Sequence, residues 1–507
     1  KSVMKIFNIE QIRAADKYTI QHEPITSTDL MERASRAFVE WFVERFTYDF
    51  SDAIHLFCGV GNNGGDGLCI ARMLNHLLFD VKVYIVRFSD KSSNDFQINE
   101  RRLKEVENIP VKNLYDVSDF PTFNENDLIV DAIFGSGLSR PIEGFTAEII
   151  RKINESYIPV IAVDIPSGLY ADRQSDSIAI KANHTVSFQF PKLAFLLPQN
   201  HQYVGEWHCV DIRLHPTFIA QTSTPYHYIE ATDIAAILRP KSKFSHKGTS
   251  GHALIIGGSY GKIGAAVLTS KATLKAGAGL VTVYVPKCGY TIMQVSIPEV
   301  MCLTDKNESH ISELPLIEAN SASSSKKTKY QAIAIGPGLG QNSSTQNALL
   351  QLLQSAQQPL VLDADALNII AQNQWLQYMP KDSILTPHPK EFERLAGKTA
   401  NHFERLEKQR AMAQKYGIVV LVKGAHTSIA CPEGTIFFNS TGNPAMGTAG
   451  SGDVLTGMIA SFVAQGYSSK DAAILGVYLH GLAGDKATSA KGNILASDLI
   501  EFFSCGL

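Results

Sequence analysis

The chain has 507 residues, too many for a single hydrophobic core, and its length predicts two to four domains, of which we expect two large ones. Hydrophobic residues make up 45% of the chain and charged residues 19%, which is typical of a globular protein and argues against disorder. The net charge of -3 gives no basic field for nucleic acid or anionic lipid, so we expect small molecules as partners.

Seven cysteines are scattered along the chain without a C-x-x-C pair. This pattern argues against a disulfide framework and against a structural zinc site, and it fits a reducing compartment. The sequence shows neither a signal peptide nor an apolar run of about 18 residues. We therefore expect a cytoplasmic protein that does not cross a membrane, and we also expect a homo-oligomer.

The first elements in chain order are a helix, a strand and a glycine-rich loop. Apolar residues recur at three- and four-residue spacings from Leu30 to Phe42, which predicts a packing helix. An apolar strand over residues 53–58 then leads into GVGNNGGDG, residues 59–67, and a second helical stripe follows. Backbone N–H groups at a helix start favour an anion, whereas Asp66 would repel one. We expect the backbone to face phosphate, while Asn63 and Asp66 face a sugar hydroxyl or a cation.

Two further apolar strands end in polar loops. DAIFGSGLSRP (residues 131–141) and DIPSG (residues 164–168) follow them. Near-continuous apolar strands that alternate with helices predict a parallel sheet covered on both faces, with ligands beyond the carboxyl ends of its strands. Asp131, Asp164 and Ser167 would lie on that edge, where their oxygens suit a hard cation.

Together with LMERAS at residues 30–35, these motifs resemble the N-terminal domain of the YjeF family, the epimerase that interconverts the two epimers of hydrated NADH and NADPH. The resemblance spans about the first two-fifths of the chain and implies a Rossmann-like three-layer fold. It implies a potassium site formed by Asn63, Asp131 and Ser167. The substrate contacts that it implies are Asn62, Asn63, Gly64, Gly65, Asp66, Gly135, Ser136, Gly137, Leu138, Ser139, Arg140, Pro141 and Asp164.

Epimerisation beside a ring nitrogen needs proton transfers, which a positioned carboxylate supplies. Asp131 and Asp164 both remain open for this role. We favour Asp164 as the catalytic group, because a potassium-bound Asp131 would be a poorer base.

The strand–helix alternation lapses around QTSTP, residues 221–225, and we place the domain boundary there. Residues 1–222 then form the first domain and residues 223–507 the second. A new series of apolar strands follows, each ending in Gly, Asp, His or Lys, so the second domain is predicted to be α/β as well.

The second domain contains GTAGSGD, residues 447–453, directly before a helix with an apolar face. Backbone N–H groups of such a loop can hold a transferring phosphoryl group, and Asp453 is placed to take a proton from the attacking hydroxyl. An acid at a helix start is often only a cap, but Gly-x-Gly-Asp after a glycine-rich loop favours catalysis. The G-x-x-x-x-G-K-[ST] pattern is absent from the sequence, which excludes a P-loop enzyme.

KGAHT, residues 423–427, follows the strand IVVLV and is a candidate nucleotide contact. The lysine offers charge, the glycine close access and the threonine a hydroxyl. Taken alone, the segment fits an ordinary strand exit with an exposed lysine equally well.

GTAGSGD resembles the anion hole and general base of the ribokinase-like superfamily. With GPGLG, DADALN, TPHPKE and KGAHT, the match narrows to the YjeF C-terminal domain, the dehydratase of hydrated NAD(P)H that uses ADP or ATP, for which we expect Mg²⁺ as well. The nucleotide contacts that the resemblance implies are Lys423, Gly424, Ala425, His426, Thr427 and Gly452. The substrate contacts are Ala265, Gly338, His388 and Asp453, although His388, between two prolines, could instead satisfy its own turn.

Both halves together predict a bifunctional repair enzyme, in which the dehydratase acts on the S epimer and the epimerase supplies it from the R epimer. One rival is a small-molecule kinase of the hydroxymethylpyrimidine or hydroxyethylthiazole type with an accessory first domain. Another is a dinucleotide sensor without turnover. The motif set of the first domain argues against both.

Overall fold

The computed structural model describes residues 3–46, 52–106, 108–240, 243–244, 246–315 and 329–505. The chain divides into two compact units. One comprises residues 5–224, and the other comprises residues 225–507 together with residues 1–4. Each unit has its own sheet. The short strand β1 (Met4–Lys5) spans the point where the chain is divided, and it is an edge strand of the second sheet.

The N-terminal unit contains a seven-stranded sheet in which all neighbouring strands are parallel, in the order β4-β3-β2-β5-β6-β7-β8. Its strands are β2 (Ile54–Cys58), β3 (Val81–Val86), β4 (Val111–Leu114), β5 (Leu128–Ala132), β6 (Val160–Val163), β7 (His184–Phe188) and β8 (Glu206–Val210). Its α-helices are α1 (Ile9–His22), α2 (Ser27–Phe46), α3 (Asn62–His76), α4 (Asn94–Lys104), α5 (Gly144–Glu155), α6 (His201–Val204) and α7 (Pro216–Gln221).

Alternate residues of these strands enter two separate cores. Leu56 packs on one face with Phe38 of α2 and Leu68 of α3, whereas Phe57 packs on the other face with Ile149 of α5. Because helices cover both faces, the strands are apolar throughout, as the sequence predicts. The result is the three-layer arrangement expected for this unit.

The C-terminal unit contains a larger sheet, in the order β1-β9-β18-β17-β16-β15-β14-β13-β10-β11-β12. Its other strands are β9 (Tyr226–Tyr228), β10 (His252–Ile256), β11 (Leu280–Val285), β12 (Met301–Thr304), β13 (Ala332–Ile335), β14 (Leu360–Leu362), β15 (Ile384–Leu385), β16 (Val419–Val422), β17 (Ser428–Ala430) and β18 (Ile436–Phe438). Strands β10 to β16 are paired in parallel, while β17 runs antiparallel to β16 and to β18.

The helices of this unit cover the sheet and carry the loops of interest at their starts. They are α8 (Ala231–Ile237), α9 (Ile263–Lys275), α10 (Tyr290–Ser296), α11 (Ser343–Ser355), α12 (Asp365–Asn373), α13 (Pro389–Ala396), α14 (His402–Tyr416), α15 (Ser451–Ala464), α16 (Ser469–Lys491) and α17 (Ala496–Glu501). The largest packing contact joins α15 to α9, and α15 carries Asp453 in its first turn. A well-packed helix therefore holds this carboxylate. Within the described residues, no helix is both long and apolar enough to cross a bilayer.

Candidate active sites

The N-terminal site lies where the strand order reverses. The chain leaves β2 toward β3 on one side, and β5 pairs with β2 on the other. The loops after β2 and β5 therefore face each other across a crevice at the carboxyl edge, the usual ligand position of an open parallel sheet. α3 begins in this crevice, and the backbone N–H groups of Asn62, Asn63 and Gly64 bind no backbone acceptor among the described residues. An anion can accept from them.

A cavity of about 610 Å³ occupies this crevice. Most of the predicted substrate contacts line it: Asn62, Asn63, Asp66, Gly135, Ser136, Gly137, Leu138, Ser139, Arg140 and Asp164. Three others, Gly64, Gly65 and Pro141, do not line it, so direct contact of these three with the substrate stays a prediction.

The glycines of the loop have a packing role. A Cβ on Gly64 would lie 1.8 Å from the carbonyl oxygen of Gly59, and one on Gly67 would lie 2.6 Å from the Cβ of Ala132. A side chain at either position would push α3 off the sheet. These glycines bring the helix start close to the strands, while the neighbouring Asn63 and Asp66 supply the polar groups.

Asp131 of β5 and Ser167, which follows β6, are buried and hydrogen-bonded to each other, and Asn63 is buried at the start of α3. Ser167 donates to Asp131 twice, from its hydroxyl at 2.5 Å and from its backbone N–H at 2.8 Å. Burial raises the pKa of Asp131 to about 6. Both amide atoms of the Asn63 side chain are buried and lack a hydrogen-bond partner among the described residues. An unpartnered buried amide oxygen and a buried carboxylate fit a monovalent cation.

Asp164 sits in the left-handed region, with φ of 67°, where a non-glycine residue is uncommon and strained. Its carboxylate accepts from the Lys192 ammonium at 2.7 Å and from the backbone N–H of Phe188 at 3.2 Å. Lys192 is only 1% exposed and also donates to the Ser187 hydroxyl at 2.8 Å. The pair holds the Asp164 carboxylate at the cavity wall.

Two further carboxylates line the same cavity. Burial, and then the charge of Asp164, raises the pKa of Asp16 to about 7, while Lys192 opposes the rise. Burial and the charges of Asp164 and Asp16 raise the pKa of Asp66 well above its ordinary range. Two carboxyl groups of the cavity therefore have a pKa raised toward or above neutrality, which suits a role in proton transfer.

Asp16 and Lys192 are not among the site residues predicted from the sequence. Asp16 lies on α1, which does not follow a glycine-rich loop, and no motif near it in the sequence indicates a site. Lys192 had a usable signal, because it is the lone charge in the apolar run VSFQFPKLAFLL, residues 186–197. A lysine buried in such a run requires a charged partner.

The C-terminal site is a cavity of about 870 Å³ at the carboxyl ends of β14, β15 and β16. Seven of the predicted residues line it: His388, Lys423, Gly424, Ala425, Thr427, Gly452 and Asp453. The predicted contacts Ala265, Gly338 and His426 do not line it.

Asp453 faces a charged pair inside this cavity. Asp363 accepts from the Lys423 ammonium at 2.8 Å and from the Thr456 hydroxyl at 2.8 Å. Burial and the Asp363 charge raise the pKa of Asp453 to about 7, against the opposing effect of Lys423. The Asp453 side chain makes no hydrogen bond to any described residue and has no capping role, since the N-cap of α15 is Gly450. Its carboxylate is therefore available to a substrate proton.

The loop before α15 presents donors to the cavity. Gly450 has φ of 88°, which suits glycine. Among the described residues, the backbone N–H groups of Ala449, Gly450, Gly452 and Asp453 meet no backbone acceptor. A Cβ on Gly452 would lie 3.0 Å from the Lys423 ammonium nitrogen. An anion here would meet free amides, the positive end of α15 and a lysine.

KGAHT forms a turn that directs Lys423 inward. The Thr427 hydroxyl donates to the Gly424 carbonyl at 3.1 Å and accepts from the Gly424 N–H at 3.3 Å. His426 contacts the Asn439 carbonyl through Nδ1 at 3.0 Å. Lys423 thus points to Asp363 rather than to solvent, which disfavours the ordinary strand-exit reading for this residue.

His388 lies at the cavity wall but also has a local role. Its Nδ1 accepts from the backbone N–H groups of Lys390 and Glu391, at 3.1 and 3.2 Å, and caps α13. Ala265 and Gly338 lie close together outside the cavity, since a Cβ on Gly338 would be 3.1 Å from that of Ala265. The substrate roles of these three residues stay predictions.

Each unit of this α/β protein thus holds a cavity of its own. Several carboxyl groups line the first cavity at a strand switch point, and a glycine-rich loop with free backbone N–H groups and Asp453 lines the second. The family model of the YjeF-related protein N-terminus matches residues 27–194, and that of NAD(P)H-hydrate dehydratase matches residues 253–504. The chain belongs to the family of bifunctional NAD(P)H-hydrate repair enzymes, as its full-length relatives show.

Three such relatives are each described as bifunctional NAD(P)H-hydrate repair enzyme Nnr. The Moorella thermoacetica protein is 36% identical over 98% of this chain and 96% of its own length. The Thermofilum pendens protein is 34% identical, covering 96% and 93%. The Escherichia coli protein is 32% identical, covering 97% and 92%.

One similar solved structure is the ADP/ATP-dependent NAD(P)H-hydrate dehydratase of Bacillus subtilis, co-crystallised with ATP and Mg²⁺. It is 31% identical, covers 54% of this chain and 94% of its own, and has a TM-score of 0.45. The predicted fold class, a Rossmann-like domain followed by a ribokinase-like α/β domain, is confirmed by the two sheets and the two family models.

Proposed function

We propose that this chain repairs hydrated NADH and NADPH in two steps. Residues 1–222 interconvert the R and S epimers, and residues 223–507 dehydrate the S epimer with ADP or ATP. The observation that carries the proposal is that each family motif set builds a cavity of its own, with a carboxylate whose pKa is near neutrality in each. The division of the chain at residues 224 and 225 supports the assignment of one activity to each unit.

In the epimerase site, Asp164 is the proposed proton-transfer group. The Lys192 ammonium holds its carboxylate toward the cavity at 2.7 Å. The free amides at the start of α3 receive a phosphate of the dinucleotide, and the loop of residues 135–140 lies along the substrate. Asp16 supplies a second acid–base group, since its pKa of about 7 allows both protonation states.

Asn63, Asp131 and Ser167 are the proposed potassium ligands. Their oxygens fit the ion, because the Asn63 amide is unpartnered and the Asp131 carboxylate is buried. The ion supplies positive charge that offsets the burial of Asp131 and stabilises negative charge nearby. With Asp131 assigned to that role, Asp164 is favoured over Asp131 as the carboxylate that moves the proton.

In the dehydratase site, Asp453 is the proposed base. It takes the proton of the ring hydroxyl, and that oxygen attacks the terminal phosphoryl group of the nucleotide. The bond between this group and the next phosphate breaks, and ADP leaves from ATP or AMP from ADP. The free amides before α15 and Lys423 stabilise the charge that develops. The ring-nitrogen lone pair then expels the new phosphate, and loss of an adjacent ring proton restores the dihydropyridine. Mg²⁺ bound with the nucleotide would add positive charge at the phosphates.

A mixture of R and S hydrates tests the proposal, with ADP or ATP added in parallel and reduced-nicotinamide absorbance as the readout. With at least one nucleotide, we expect the whole mixture to be recovered as reduced nicotinamide. If only the S epimer is consumed, the recovery equals the share of S in the mixture. Recovery of neither epimer would contradict the dehydratase assignment and with it the two-step repair. A stable phosphorylated product would favour the kinase rival, which the full-length relatives disfavour.

We expect kcat/KM for dehydration to rise with pH and to level off above about 7. The pKa of Asp453 is raised to about 7, and only its ionised form accepts a proton. Below that pH the rate should fall about tenfold for each pH unit. Initial rates with the purified S epimer, measured from about pH 5.5 to 8.5, check this. A flat profile would exclude Asp453 as the base.

We expect Lys423→Met to raise the KM for the nucleotide by about ten- to a hundredfold, since a charge-assisted hydrogen bond to phosphate is lost. The Thr456 hydroxyl still donates to Asp363, but this buried carboxylate loses its counter-charge, so the circular dichroism spectrum of the variant is compared with that of the wild type. Lys415→Met, an exposed change on α14, is the matched control. An unchanged KM in the first variant would remove Lys423 from the nucleotide site.

The cytoplasmic location is a further proposal that rests on the cysteine pattern of the sequence. A homo-oligomer is proposed as well. Light scattering after size-exclusion chromatography decides the oligomeric state.

A further inference from the structure

A second cluster of metal-ligating side chains lies in the N-terminal unit, away from its cavity. His184 begins β7, and Glu206 and His208 lie on the neighbouring edge strand β8. His184 is in register with Glu206, and His208 follows two residues later, so all three project from the same face. Their potential ligand atoms lie within 4.8 Å of one another. None of the three lines the epimerase cavity.

Two nitrogen atoms of this cluster are buried and unpartnered. His184 Nδ1 and His208 Nε2 have no hydrogen-bond partner among the described residues. The nearest opposite group is the Glu206 carboxylate, whose oxygens lie 3.8 and 3.4 Å from these atoms. A buried polar atom left unpaired is costly, so two on one face indicate a missing partner.

We propose that His184, Glu206 and His208 form a binding site for a divalent transition-metal ion of the Zn²⁺ type. Two imidazole nitrogens and one carboxylate are a common three-ligand set for such an ion. Glu206 is 60% exposed in its side chain, so solvent can reach the fourth position. The ion would join the edge strand β8 to β7 and replace the missing hydrogen bonds.

The guanidinium of Arg45, at the end of α2, competes with a metal ion for Glu206 and His208. Its guanidinium lies 3.3 Å from His208 Nδ1 and 3.8 Å from a Glu206 oxygen. A metal on His208 Nε2 requires a proton on Nδ1, which Arg45 would oppose. Because Arg45 is 42% exposed, it can move into solvent when the ion binds.

The full chain, freed of metal with a chelator, is titrated with Zn²⁺ by calorimetry, and Co²⁺ absorption reports tetrahedral ligation. We expect one site that His184→Gln and His208→Gln each weaken by more than about tenfold. The exposed His201→Gln in α6 is the matched control and should bind as the wild type does. Both cluster variants should retain epimerisation and their circular dichroism spectrum.

The Arg45→Gln variant gives an independent test. Removal of the competing guanidinium should tighten Zn²⁺ binding several-fold. Equal Zn²⁺ affinity in the wild type and in both histidine variants would overturn the proposal. So would a wild-type chain that binds no Zn²⁺ at all.

Discussion

Replacing Asp453 with asparagine should lower the dehydration rate by about a hundred- to ten-thousandfold and leave epimerisation unchanged. Asparagine keeps the shape of the side chain but cannot accept the proton of the ring hydroxyl. Because the pKa of Asp453 is raised to about 7, about half of the wild-type side chain is ionised at neutral pH and can accept the proton. Rates with purified S epimer and saturating nucleotide measure the first effect, and conversion of R to S without nucleotide measures the second.

Asp382→Asn is the matched control for this change. Asp382 is exposed and has φ of 60°, a conformation that asparagine also tolerates. The Asp382→Asn change removes one carboxylate from the same unit, and Asp382 does not line the cavity. Loss of both activities in Asp453→Asn would mean that the two sites are not independent.

Replacing Lys192 with methionine should reduce epimerisation by at least about a hundredfold. The change removes the ammonium that positions Asp164 and leaves a carboxylate beside Asp16 without its counter-charge. Breaking a buried pair from one side costs about 3–5 kcal/mol. We therefore also expect a lower free energy of unfolding for the N-terminal unit. The rate of R-to-S conversion and chemical denaturation measure the two effects.

The double variant Lys192→Met with Asp164→Asn separates chemistry from folding. Removing both charges should restore much of the lost stability, since no charged partner remains unpaired, while epimerisation stays lost. Dehydration of the S epimer by the same protein is the internal control. Wild-type epimerisation in Lys192→Met alone would contradict the positioning role of this lysine.

Periodicity and loop composition predict the α/β fold class and place the polar loops at one edge of the sheet, because strand ends of a parallel sheet share one edge. The family resemblance supplies most of the individual residues that line the two cavities. The role of a glycine in these loops is harder to assign from the sequence. Gly64 and Gly65 read as substrate contacts, yet the neighbouring backbone of Gly59 and the side chain of Met31 explain why no side chain fits there. A glycine demanded by packing and one demanded by a ligand look the same in a sequence.

Other parts of the sites depend on long-range contacts that no local pattern carries. Lys192 meets Asp164 across 28 residues, and Lys423 meets Asp363 across 60. The His388 side chain both caps α13 and lies at the cavity wall. Such partnerships arise only when the sheet brings distant strand ends together.

The left-handed backbone of Asp164 sets catalysis against stability at one position. Strain of this kind costs on the order of 1–3 kcal/mol, and the carboxylate adds repulsion toward Asp16 and Asp66. Glycine at this position would relax the backbone, but it would leave the buried Lys192 ammonium without its partner, so only replacement of both residues should gain stability. A screen for a more stable enzyme would therefore reach this site only through paired changes of Asp164 and Lys192, and epimerisation would be lost with them.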